Sequence, residues 1–460
     1  MPFPKDFIWG AAAASYQIEG AAYEDGKGLS VWDMFCKKPG AVFQKHTGDV
    51  ACDHYHRYRE DVGLMKAIGL QAYRLSISWP RVIPNGTGAK NEAGLAFYDR
   101  LIDALLEAGI EPFVTLFHWD YPLALYHQGG WLNPDASSWF ADYTAVVVDR
   151  LSDRVKRWMT FNEPAVFIGT GHKDGYHAPG DKLRLAEVTR AAHHVLLAHG
   201  KSVQVIRARA KTPSYVGYAP NGTVRIPHTN SASDIAAAKH VMFDTFDQGV
   251  WQNGLWIDPV YLGYYPEGLL KAYGAEGPPV RAGDLEQIHQ PLDFFGTNIY
   301  SCDRVRAKAG GEPGADTVQY GPGYPLTGIN WPVAPDSLYW GARFFSERYQ
   351  KPLYITENGL SLRDWVSLDG KVHDPNRIDF LTRYLAALRR ASEDGANVAG
   401  YFQWSILDNF EWAEGYRERF GLIHVDYETQ KRTLKDSAHF FGDVIRSNGE
   451  NLPALAPTVG

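Results

Sequence analysis

Residues 54–79 read HYHRYREDVGLMKAIGLQAYRLSISW. Tyr58, Val62, Met65 and Ile68 recur at helical spacing on one face, while Arg57, Glu60 and Lys66 fall elsewhere. Gly69 then stands where a helix ends, because a residue without Cβ enters the left-handed region cheaply. From Ala72 to Trp79 the chain becomes apolar and aromatic, as a strand does. The same grammar recurs as a helix over 92–108, Gly109 and a strand over 112–118, and again as a helix over 376–394, Gly395 and a strand over 398–404.

Eight strands are predicted in all, near 7–14, 72–78, 112–118, 157–162, 215–219, 293–298, 353–356 and 398–404. Enough chain for a crossover helix follows each of the first seven, and a helix around 434–446 follows the eighth. Eight alternating units predict an α/β fold with a parallel sheet and helices outside, either closed as a (β/α)₈ barrel or left open. Eight is the barrel number, and the phosphate-binding fingerprints common in open sheets are missing. No break in composition divides the chain, so residues 1–460 are expected to form one catalytic domain with extended βα loops. The Gly- and Pro-rich stretch 307–332 has no periodicity and leads to Trp331, which suggests a lid or rim.

Composition narrows the function. With 45% hydrophobic and 22% charged residues, the chain is neither disordered nor collagenous. A net charge of −7 argues against a nucleic-acid partner. No apolar run is long enough to span a bilayer, and the start lacks a signal-peptide pattern, so the default expectation is a cytoplasmic protein without a membrane partner. Three cysteines (Cys36, Cys52 and Cys302) make no disulfide framework. Cys52-Asp53-His54-Tyr55-His56 reads as the polar start of a helix, since its spacing fits no familiar metal site. No metal or organic cofactor is expected, and the oligomeric state is left open.

Barrel chemistry gathers at the C-terminal ends of the strands. Those ends carry Gln17, Arg74, His118-Trp119-Asp120, Asn162-Glu163-Pro164, Asn298-Ile299-Tyr300, Thr356-Glu357-Asn358 and Trp404, with Glu411 and Trp412 soon after. Amides and carboxylates hydrogen-bond hydroxyl groups, and aromatic faces stack on the C–H side of a sugar ring. No strand-end lysine suggests Schiff-base chemistry, and no G-x-S-x-G elbow is present. Glu163 and Glu357 stand out, because a carboxylate at the end of a buried strand is costly unless paired or functional. Pro164 is expected to hold Glu163 extended, and Asn358-Gly359 to release Glu357 from its strand. Paired acids are what glycosidic cleavage requires: one protonates the leaving oxygen, and the other attacks the anomeric carbon or activates a water. Sequence spacing leaves that last choice open.

At these residues the chain closely resembles glycoside hydrolase family 1, the β-glucosidase family, over essentially its whole length. The resemblance rests on Phe7-Ile-Trp-Gly-Ala-Ala-Ala-Ala-Ser-Tyr-Gln-Ile-Glu-Gly20, Thr160-Phe-Asn-Glu-Pro164, Ile355-Thr-Glu-Asn-Gly359 and Trp404-Ser-Ile-Leu-Asp-Asn-Phe-Glu-Trp412. It implies a (β/α)₈ barrel and a retaining, exo-acting β-glucosidase whose partner is a small β-glucoside. Glu163 would then be the acid/base and Glu357 the nucleophile, with Arg74 keeping Glu357 ionised and Tyr300 hydrogen-bonding it. Asn162 would hold the 2-hydroxyl. Gln17, His118, Trp119, Glu411 and Trp412 would surround the other glycone hydroxyls, with Trp404 beneath the ring, and Asn298 and Phe420 would complete the pocket. An acid at Glu411 disfavours a phosphorylated glycone. β-Galactosidase or β-fucosidase activity in the same pocket, and a silent sugar-binding protein, are the alternatives. Two positions depart from the family pattern: Ala165 replaces a common Trp, and Gln403 a common apolar residue. Ala165 is expected to open the aglycone side, leaving Trp331, Phe167, Thr170, His172 and His228 to line it.

Overall fold

A computed structural model describes residues 2–244, 248–311 and 314–454. Eight parallel strands form one sheet: β1 (Ile8–Ala12), β2 (Ala72–Ser76), β3 (Glu111–Phe117), β4 (Arg157–Asn162), β5 (Tyr215–Ala219), β6 (Phe295–Asn298), β7 (Leu353–Asn358) and β8 (Val398–Trp404). Their hydrogen-bonded order is β5-β4-β3-β2-β1-β8-β7-β6. Helices cover the outside, so strands such as β2 are buried along their full length and read as unbroken runs. The crossovers include helices His54–Ile68, Glu92–Glu107, Ala136–Leu151, Leu185–Arg209, Asp336–Tyr349 and Pro375–Glu393, and Asp436–Arg446 follows β8. Gly69 closes the first of these at φ 93°, in the left-handed region expected of a helix end.

The ends of that order, β5 and β6, meet through main-chain bonds: Asp293 N–H to Val216 O at 2.8 Å, Asn298 N–H to Pro220 O at 3.0 Å and Gly222 N–H to Asn298 O at 2.8 Å. The approach is close because the seam carries glycines. A Cβ on Gly217 would lie 2.3 Å from the Phe294 ring, and one on Gly296 would lie 2.9 Å from Tyr218 O. The barrel is therefore nearly closed.

Much of the aromatic excess is core. Trp9, Trp79, Trp131 and Trp158 are fully buried, Trp79 stacks on Tyr143 at 4.9 Å, and Phe113 packs against Phe402 at 4.8 Å. His54 opens its helix and its Nδ1 lies 2.7 Å from Asp61, while the neighbouring His56 pairs with Asp53. No helix among the described residues is long and apolar enough to cross a membrane.

One stretch differs from the sequence reading. Inside the stretch 307–332 expected to be irregular, Ala315–Val318 forms a strand; it pairs antiparallel with Asp303–Ala307 just before that stretch, and Arg225–Pro227 adds a third strand. The glycines and prolines hid an arginine–tyrosine cluster. Arg304 lies over the Tyr320 ring at 4.3 Å and the Tyr324 ring at 5.5 Å, which ties the hairpin to the chain that follows. The segment does end at a rim, where Trp331 is 40% exposed.

Candidate active site

β7 delivers Glu357, 3% exposed, to the C-terminal end of the barrel. Arg74 arrives from β2, and its Nη1 donates to Glu357 Oε1 at 2.5 Å and to Thr356 O at 3.0 Å. Its Nη2 donates to Asn162 Oδ1 at 2.5 Å. Tyr300 O–H donates to the other oxygen of Glu357 at 2.7 Å. Burial pushes the Glu357 carboxyl up; the Arg74 charge and hydrogen bonds from Tyr300, Arg74 and Asn298 work against that push. With two donors on its oxygens, one of them cationic, Glu357 is the carboxyl of the pair built to hold a negative charge.

Glu163 ends β4 in different surroundings. It is 8% exposed and has no cation within ion-pair distance among the described residues. Burial and the charge of Glu357 push its pKa up to about 8, against a hydrogen bond from Asn298 and the more distant Arg74. Near neutral pH it holds a proton. The extended backbone expected before Pro164 is not what forms: Glu163 sits at φ 44°, ψ 63°, in the left-handed region. Proline bars its predecessor from the right-handed helical basin but leaves this one open, and the chain uses it to turn directly from strand into helix. The Glu163 N–H is held by Ala219 O of β5 at 2.9 Å.

Both glutamates line one cavity of about 570 Å³. His118, Trp119, Asn298, Tyr300 and Trp331 share its wall, as do Trp404, Glu411, Trp412 and Phe420. Burial, followed by the charges of Glu357 and Glu163, pushes Glu411 up to about 8, against a hydrogen bond with Trp404. His118 is held neutral by burial and by Arg74, and it accepts from Asn162 Nδ2 at 3.0 Å. The rings form a continuous surface: Trp119 lies 4.5 Å from Trp412, and His118 stacks on Trp404 at 5.7 Å. The indole N–H of Trp119 is already bonded to Asn162 O at 3.0 Å, which leaves that residue a packing face.

Three expected site residues stand behind this wall. Arg74 and Asn162 support Glu357 and His118 from the barrel interior. Gln17 donates to Phe410 O at 2.9 Å and to Asn409 Oδ1 at 3.0 Å, while its buried Oε1 lacks a partner among the described residues. On the outer side, Thr170 and Trp331 line the cavity as expected, but Phe167, His172 and His228 do not. Phe167 packs in the core 5.1 Å from Phe117, and His172 Nδ1 lies 2.9 Å from Asp181. His228 is half-buried just after the third strand of the small outer sheet, where its N–H donates to Val305 O. Ala165 is also buried behind the wall, and Val166 faces the cavity instead. The reason is that 164–173 coils, so residues four apart share a face and Val166 travels with Thr170.

Tyr176, His177, Trp251 and Glu414 complete the outer wall, and the sequence reading missed them. The only local signal was the aromatic-polar run Tyr176-His177 before Ala178-Pro179. Trp251 lies on the long excursion between β5 and β6, remote from any strand end.

Comparison with known proteins agrees with this geometry. The family profile described as glycosyl hydrolase family 1 matches residues 1–450. A 1,4-beta-D-glucan glucohydrolase of Thermotoga neapolitana is 44% identical over 97% of this chain and 99% of its own length. Beta-glucosidase A of Thermotoga maritima is 43% identical over 97% and 98%. A solved structure of beta-glucosidase from Thermotoga maritima in complex with azafagomine superposes with a TM-score of 0.89 at 43% identity, covering 97% of this chain and 99% of that one. With a profile match across nearly every residue and such relatives end to end, the chain belongs to glycosyl hydrolase family 1.

Proposed function

We propose that this protein is a retaining, exo-acting β-glucosidase that removes terminal non-reducing β-glucosyl units from cellobiose-like oligosaccharides and aryl or alkyl β-glucosides. The observation that carries the reading is the unequal treatment of two glutamates on one cavity. Glu357 has Arg74 at 2.5 Å and Tyr300 at 2.7 Å, and Glu163 is pushed up to about 8 without a cationic partner. The relatives named beta-glucosidase and 1,4-beta-D-glucan glucohydrolase support the same substrate class.

In the first step Glu357 attacks the anomeric carbon while Glu163 gives its proton to the departing glycosidic oxygen. The bond to the aglycone breaks as the ester to Glu357 forms. Esterification removes the charge that helped hold the Glu163 proton, so Glu163 becomes more acidic than in the free enzyme, and its carboxylate is a weaker base but a sufficient one. It takes a proton from water, which attacks the anomeric carbon from the face the aglycone left, and Glu357 departs. Two inversions give net retention. The family resemblance assigns the 2-hydroxyl to Asn162, which stands behind the wall with its side chain bonded to Arg74, His118 and Asn298; Asn298, which lines the cavity and donates to Asn162 Oδ1 at 3.0 Å, would link it to that hydroxyl. Trp404, Trp412 and Phe420 supply faces for the ring, and a protonated Glu411 can donate to a hydroxyl.

The test is azide rescue with an activated aryl β-glucoside. Glu357→Gly is expected to yield α-glucosyl azide, because azide replaces the nucleophile directly. Glu163→Gly is expected to yield β-glucosyl azide, because azide then intercepts the glycosyl-enzyme. The opposite pairing overturns the roles, and faster turnover of aryl β-galactosides or β-fucosides overturns the glucose preference.

A further inference from the structure

Between β8 and the last helix the chain buries a charged side chain. Asp408 is completely buried. Its Oδ1 accepts from Lys435 Nζ at 2.6 Å and from Gly421 N–H at 2.9 Å, and its Oδ2 accepts from Arg419 Nη1 at 2.7 Å. Lys435 also donates to Asp364 at 2.6 Å, Asp364 meets Arg377 at 2.8 Å, and Arg377 pairs with Asp374. Three carboxylates thus face three cations, and the network is neutral as a whole. Burial opposes ionisation of Asp408; Lys435 and Arg419 more than reverse it and hold the carboxyl below the usual range. A buried ion network is a poor source of stability compared with apolar packing, but it tolerates only one arrangement of its donors.

The arrangement it selects is that of the 405–421 loop. Gly421 follows Phe420, whose carbonyl accepts from Ser405 N–H at 3.1 Å. Asn409, next to Asp408, donates to Ser405 Oγ at 3.0 Å and accepts from Gln17 at 3.0 Å. Glu411 and Trp412 follow at once, and with Phe420 they line the cavity. Glu357 on β7 and Glu163 just past the end of β4 both lie outside this loop. The geometry points to Asp408 as a positioning residue for the sugar-holding end of the cavity: its carboxylate clamps the loop so that Glu411, Trp412 and Phe420 meet the glycone. This rests on the proposed β-glucosidase function.

The test compares Asp408→Asn with Asp374→Asn in the full-length protein. Asp374 belongs to the same network but binds the N–H and hydroxyl of Ser437 and meets the loop only through Arg377, whose Nη2 donates to Arg419 O at 2.9 Å. Wild type is assayed first; if it hydrolyses no β-glycoside, the functional reading fails and not this one. With an active wild type, Asp408→Asn is expected to raise both KM for an aryl β-glucoside and the inhibition constant of glucose about tenfold, leaving the pH dependence of kcat in place. Asp374→Asn is expected to lower Tm with KM and glucose inhibition within about twofold of wild type. Equal KM increases in the two variants, or an unchanged KM in Asp408→Asn, overturn the proposal. Should Asp408→Asn fail to fold, Arg419→Lys decides: it keeps the charge but ends one bond short of Nη1, the single atom through which Arg419 bonds both Asp408 at 2.7 Å and Val425 O at 2.9 Å, and a KM increase of about threefold is expected. An unchanged KM in Arg419→Lys overturns the proposal equally.

Discussion

The ends of β7 and β4 hand the same side chain to the same cavity and treat it in opposite ways. At β7, Glu357 receives a guanidinium and a phenol on its two oxygens. At β4, Glu163 receives burial and the field of its neighbour. The same side chain is braced by two donors, one of them cationic, at one strand end and is raised without a cationic partner at the other, because of what adjacent strands project. β2 supplies a cation to Glu357, and among the described residues no cation pairs with Glu163. A pair of groups whose environments push their pKa values apart is what acid/base division of labour needs.

The hardest way to break this contrast is to remove the charge-holding side. Glu357→Gly is expected to lower kcat on aryl β-glucosides by at least about 10⁴-fold in the absence of azide, measured under steady state. Next comes the acid. Glu163→Gln is expected to lower kcat on cellobiose by about 10³-fold, with a smaller loss on substrates whose leaving group needs no proton. The alkaline limb of kcat/KM, set near pH 8 in the free enzyme, should disappear with it.

That substitution also tests stability. The folded-state pKa of Glu163 lies above its unfolded value, so between roughly pH 4.5 and 8 the native state binds more protons than the unfolded one. The contribution of this group is complete below the unfolded pKa and is lost as pH rises through the folded value. Tm of Glu163→Gln relative to wild type should therefore rise from pH 5 to pH 8, as followed by thermal melts.

Smaller effects sharpen the comparison. Arg74→Lys keeps a charge but loses the fork that reaches Glu357, Thr356 and Asn162 together, and about 10²-fold in kcat/KM is expected to go with it. Its acid limb should move to higher pH, because Glu357 loses part of what opposes burial. Tyr300→Phe removes one hydrogen bond to the Glu357 carboxylate and should cost about tenfold, with a shift of the acid limb in the same direction. Trp331→Ala, at the exposed rim, should change KM for aryl glucosides about threefold and leave both limbs alone.

The sequence carried the frame well. The periodicity around Tyr58–Ile68 and Gly69, repeated down the chain, is written in local spacing, and all eight strands lie where that spacing put them. Arg74, Glu163, Asn298, Tyr300 and Glu357 could be singled out because barrel geometry sends strand ends to one place. What the sequence withheld depends on contacts between distant segments. The left-handed backbone of Glu163 is held by Ala219 of the next strand, which no reading of Asn162-Glu163-Pro164 can see. The hairpin at 303–318 depends on Arg304 finding Tyr320 and Tyr324. The outer wall was misread at Phe167 and His172 because a one-residue change of helical phase exchanges core for cavity.

The seam between β5 and β6 has a mechanical consequence. Seven of the joints around this cylinder are laddered, and the eighth is stitched at its two ends across Gly217 and Gly296. A stave held that way is where the cylinder should breathe first on warming, and the adjoining stave β6 ends in Asn298, which is bonded to Asn162 at the end of β4 on the other side of β5. Amide exchange at Gly222 and Asn298 should accordingly accelerate at temperatures where β2 and β3 still resist it, so that heat loosens the reactive centre before it dissolves the scaffold.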